Sequence, residues 1–76
     1  MALLEQDTCK QIAKELRAEF RFEIIEYKHR LQLSTMDSEA KHIMFTATEF
    51  HRFAEITAGC DITFLETYGK PSIIIQ

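Results

Sequence analysis

The 76-residue chain has no tryptophan, a single proline, two glycines and two cysteines. With only Gly59 and Gly69 there is no glycine-rich phosphate loop, and so few forced turns leave most of the chain free to form regular structure. Cys9 and Cys60 alone cannot make a disulfide scaffold or a four-ligand zinc site. They read as reduced, semi-buried small hydrophobes in an intracellular protein. No apolar run approaches the ~20 residues that a membrane helix needs. The opening MALLEQDTCK lacks a basic start and a long apolar stretch, so no secretory signal is expected. Nine Lys plus Arg against twelve Asp plus Glu give a net charge of −3, which excludes a strongly basic nucleic-acid arm.

What is present is ordinary for a soluble globular chain: 46% apolar and 28% charged residues, too apolar for a disordered tail. The length allows one small domain, residues 1–76. A chain this short buries roughly 60% of its unfolded surface, a thin margin that a partner would widen.

Cys9, Ile12, Ala13, Leu16 and Phe20 recur at helical spacing, predicting a first helix with Asp7 or Thr8 as its N-cap. At 100° per residue, Lys10, Lys14, Arg17 and Arg21 fall within about 60° of one another, while Glu15 and Glu19 take the opposite flank. The period then drops to two. Phe20, Phe22 and Ile24 alternate with charged residues, and Ile25, Tyr27, His29, Leu31 and Leu33 continue the alternation one position out of phase. A strand with a β-bulge at Ile24–Ile25 fits; so does a helix running to Phe22 with the strand beginning afterwards. Ser34–Lys41 reads as a loop and His42–Phe45 as a short strand.

Thr46-Ala47-Thr48-Glu49 matches a capping box and opens a second helix with Phe50, Phe53, Ala54 and Thr57 inward and Gly59 at its C-cap. Cys60, Ile62 and Phe64 alternate with Asp61, Thr63 and Leu65 in a third strand. Tyr68-Gly69-Lys70-Pro71 turns the chain into a β-branched last strand, Ser72–Ile75. The order is α-β-β-α-β-β, an α+β fold with two helices on one face of an antiparallel sheet.

Chemistry is sparse. His29, His42 and His51 have no metal-ligand spacing, and His29 on the apolar phase reads as a satisfied core histidine. Cys60-Asp61 follows a helix end, where no dipole lowers a thiol pKa. Neither a catalytic group nor a metal, cofactor or small-molecule substrate is expected. The cationic stripe of Lys10, Lys14 and Arg17, with His51 and Arg52 on the outer side of the second helix, is the candidate contact for a nucleic-acid backbone. The run Ile73, Ile74 and Ile75 is the candidate interface, because a terminal strand is often an edge that must pair or aggregate.

From 42 to 75 the chain runs strand, helix, strand, turn, strand. The helix carries Glu49, Phe50, Arg52, Phe53, Ala54 and Glu55, and Gly69, Lys70 and Pro71 precede the last strand. This stretch resembles the last repeat of a sliding clamp of the proliferating-cell nuclear antigen superfamily, nearest to a DNA-damage checkpoint clamp subunit. The resemblance does not extend to residues 1–41, and a whole clamp subunit has two domains of two repeats each. It therefore implies a fragment, a truncated form or a small relative. It further implies a nuclear, non-enzymatic role, helices facing the DNA backbone, and pairing with other clamp-type subunits or self-association through a sheet edge. The rival expectation is a protein-interaction adaptor with no nucleic-acid role.

Overall fold

Residues 3–37, 39–67 and 70–76 are described by a computed structural model, residue 67 by its backbone alone. Six elements follow in the expected order: α1 (Gln6–Glu19), β1 (Phe22–Glu26), β2 (Leu31–Thr35), α2 (Ala47–Ile56), β3 (Ile62–Thr67) and β4 (Lys70–Ile75). The four strands form one antiparallel sheet in the order β1-β2-β4-β3. The class is α+β.

The first two strands come from a single stretch of sequence. β1 and β2 are the arms of a hairpin with Glu26 opposite Leu31, and the Tyr27 N–H donates to the Arg30 carbonyl at 2.9 Å across the connection. The change of phase at Ile24–Ile25 is therefore no bulge. Ile24 faces inward, Ile25 lies on the opposite face, and the chain reverses before Leu31. His29 sits in that reversal rather than in a strand, and its Nδ1–H donates to the Leu4 carbonyl at 2.9 Å.

His42–Phe45 is not a strand. Its place is fixed by side chains instead: Phe45 lies 5.1 Å from Phe53, 5.9 Å from Phe20 and 6.0 Å from Phe22, ring centre to ring centre. Both edges of β4 are already occupied by β2 and β3, so no central ladder is open to it. The turn expected at Tyr68–Gly69 lies outside the described residues, while Lys70 and Pro71 belong to β4.

The core lies between the helices and one sheet face. The register Leu31↔Ile75, Leu33↔Ile73 and Ile24↔Leu33 puts these five side chains on a common face. Cys9, Ile12, Ala13 and Leu16 of α1 and Phe53 and Ile56 of α2 close over it. Leu16, Leu31, Leu33, Ile73 and Ile75 are fully buried, each worth roughly 1.5–3 kcal/mol of apolar burial.

The two helix N-termini are built differently. Neither Asp7 nor Thr8 caps α1; Glu5 is its N-cap and makes no side-chain cap bond, leaving Asp7 in the first turn. At α2 the capping box forms, with Glu49 N–H donating to Thr46 Oγ1 (3.1 Å) and Thr46 N–H to Glu49 Oε1 (2.9 Å). The C-cap of α2 is Thr57 rather than Gly59; Gly59 lies two residues further on and turns the chain at φ +83°, a conformation costly for any residue with a Cβ. The inward face of α2 is Phe53, Ile56 and Thr57, whose hydroxyl donates to the Phe53 carbonyl. Phe50 and Ala54, expected inside, are exposed.

Candidate interaction surface

The candidate interface at Ile73, Ile74 and Ile75 requires correction. β4 is a central strand, paired with β2 on one side and β3 on the other, and Ile73 and Ile75 are wholly enclosed. Only Ile74 reaches the uncovered face, half-buried. The physical reason is plain: a β-branched triplet gains most where both neighbours pair with it and a helix layer covers it. The sheet's edges are β1 and β3.

These two edges are built differently. In an antiparallel ladder, pairs that exchange both backbone bonds alternate with pairs that exchange none. The Tyr27–Arg30 bond sets the phase at β1, so Phe22, Ile24 and Glu26 turn their backbone groups outward. That edge is guarded: Arg17 Nη2–H donates to the outward Ile24 carbonyl (3.2 Å), Arg17 Nη1 pairs with Glu26 (2.9 Å), and Glu23 adds a second charge. Charges and capping groups on an edge oppose strand addition.

At β3, Asp61 and Gln76 exchange both bonds (2.7 and 3.0 Å), so Thr63 and Leu65 bond to β4 while Ile62, Phe64 and Glu66 turn their N–H and C=O outward. No charge interrupts Ile62-Thr63-Phe64-Leu65. Phe64 is 62% and Leu65 44% exposed. Beside the strand, Phe50, Phe53, Ala54, Thr57, Ile62 and Phe64 line an open apolar groove of about 250 Å³ between α2 and β3. Phe64 shares the helix-covered face, through its pairing with Ile73, yet α2 leaves it uncovered. The alternation of Cys60, Ile62 and Phe64 gives Phe64 the phase of the helix-covered face, but not its exposure; that β3 is an edge beyond the helix layer is a tertiary fact with no local signal.

The five candidate backbone-contact residues separate. Arg17 is engaged at the β1 edge. Arg52 Nε contacts both Glu19 oxygens at 2.7 and 2.9 Å, joining α2 to α1. That hydrogen bond holds the Glu19 carboxyl below its usual range and raises the Arg52 guanidinium further. His51 Nε2 lies 3.4 Å from Glu55 one turn on. Lys10 and Lys14 are exposed on α1 with no carboxylate in ion-pair range among the described residues. Burial raises the thiol of Cys9, with Glu26 adding to it, and burial likewise raises Cys60, with Cys9 and Asp61 adding to it.

Among the described residues no three His, Cys, Asp or Glu side chains gather where a metal could sit, and no helix is long and apolar enough to cross a membrane. Comparison of the chain with protein-family models, with curated proteins and with solved structures finds no match in any of the three.

Proposed function

We propose that the chain is a non-catalytic, clamp-type interaction unit of the DNA-damage checkpoint kind. On this reading it completes its sheet with a strand from another chain and makes weak contacts with the DNA backbone. The observation that carries the reading is the asymmetry of the two edges. β1 is blocked by Arg17, Glu23 and Glu26, whereas β3 offers three outward residues' backbone groups, exposed Phe64 and Leu65, and the apolar groove under α2. Main-chain pairing supplies affinity in such a contact and the groove supplies side-chain selection. The class of partner is taken from the resemblance of the helix residues Glu49, Phe50, Arg52, Phe53, Ala54 and Glu55 and of the Gly69-Lys70-Pro71 sequence to a clamp repeat, without the opening strand expected at His42–Phe45.

The DNA contribution rests on Lys10 and Lys14. Two phosphate contacts give a salt slope of about −2 on logarithmic axes, so retention on duplex DNA should fall about tenfold for a fourfold rise in salt. Lys10→Glu with Lys14→Glu should remove it at low salt. A second reading, an adaptor without a nucleic-acid role, is favoured by one observation: Arg17, His51 and Arg52 each already face a carboxylate. No retention of the wild-type chain at low salt decides for the adaptor. Mixing with clamp subunits, followed by light scattering, tests the partner class; failure of every mixture to raise the mass removes the clamp reading.

A further inference from the structure

We propose that β3 pairs with β3 of a second copy of this chain, antiparallel about a two-fold axis at Phe64, making a continuous eight-stranded sheet. The inference deepens the strand-pairing reading above by naming the seam and the occupant.

Two observations lead to a second copy. The first is the hydrogen-bond phase. Phe64 turns both backbone groups outward, so Phe64 and Phe64 of the second copy exchange both bonds on the axis. Ile62 then meets Glu66 of the second copy, and Thr63 meets Leu65. The only charged residue in β3, Glu66, is thus set against an isoleucine and never against itself. A strand with a like charge at its own symmetry mate would be repelled, since like charges directly opposite destabilise a pair.

The second is the flank of α2. Phe50, Ala54 and Thr57 line the groove beside β3, and no charged side chain is among its lining residues; His51 and Glu55 lie further round the helix, beyond Ala47. An uncharged rim can meet its own copy without repulsion. A two-fold seam brings the two open grooves together around the Phe64 pair, which α2 alone leaves uncovered. The axis satisfies the edge and the groove in one contact, as an isologous interface does.

Sedimentation equilibrium of the full chain over a wide concentration range reads the mass directly. The expected result is a dimer of twice 8.9 kDa that dissociates on dilution. Phe64→Lys, which sets two like charges on the axis, and Ala54→Glu, which charges the groove, should each weaken it at least tenfold. Both positions are exposed, so both variants keep the wild-type far-ultraviolet spectrum. Ile25→Lys on the other edge strand should leave the dimer intact. A wild-type chain that stays monomeric throughout overturns the self-pairing. If such a monomer still joins a clamp subunit through β3, the strand-pairing reading survives without it. A dimer broken by Ile25→Lys but indifferent to Phe64→Lys also overturns the proposal.

Discussion

The aromatic cluster around Phe53 gives the sharpest test of how the segment before α2 is held. Phe53 is 3% exposed and lies 5.1 Å from Phe45, 6.1 Å from Phe20 and 6.5 Å from Phe22. Truncation to alanine should cost about 3–5 kcal/mol, from lost transfer energy and the cavity left behind. A chain of this length is stable by roughly 4–11 kcal/mol, so that variant sits near the edge of folding. The informative experiment is milder. Phe53→Leu, Phe45→Leu and the double variant form a cycle, read by urea unfolding followed by circular dichroism because the chain has no tryptophan. If ring–ring contact anchors Phe45, the pair should show a coupling of about 0.5–1.5 kcal/mol. Additive losses, with coupling below about 0.3 kcal/mol, would refute the anchoring.

Thr46→Ala removes the hydroxyl that accepts from Glu49 N–H, and should cost about 1 kcal/mol in the same unfolding assay; no loss would mean that the capping box does not stabilise α2. Glu19 has its folded pKa held below the unfolded value by Arg52, so its contribution is present above the ordinary carboxylate range and is lost as pH falls through the folded value. The stability gap between wild type and Glu19→Gln should therefore close in acid, and a gap constant with pH would contradict the assignment. Iodoacetamide should modify half-buried Cys60 well before Cys9, which is 1% exposed; equal rates, followed by mass spectrometry, would contradict the burial of α1.

Much of this arrangement can be read from the residues. The helical spacing of Cys9, Ile12, Ala13 and Leu16, the capping box at Thr46 and the left-handed Gly59 are local features, and local chemistry sets them. The β1–β2 reversal is different. Between Phe20 and Leu33 there is no Gly, Pro, Asn or Asp, so nothing marks a turn, and period two continues on both arms of a hairpin. The position of β4 also escapes a local reading. An Ile-rich strand is consistent with an edge and with a centre until its neighbours are known, and the neighbours, β2 and β3, are distant in sequence. The same holds for the cations: helical spacing groups Lys10, Lys14 and Arg17, but only the packing of α1 over β1 brings Glu26 to Arg17 and leaves the lysines free of such a partner among the described residues.

Amide hydrogen exchange, resolved residue by residue, bears most directly on the role of β3. In dilute solution the N–H groups of Ile62, Phe64 and Glu66 should exchange quickly while those of Thr63 and Leu65, bonded to β4, are protected. At high protein concentration, or with a partner chain bound, the first three should slow and the two neighbours should change little. Unaltered exchange at Ile62, Phe64 and Glu66 while a complex demonstrably forms would contradict the account, because the contact would then lie elsewhere on the molecule.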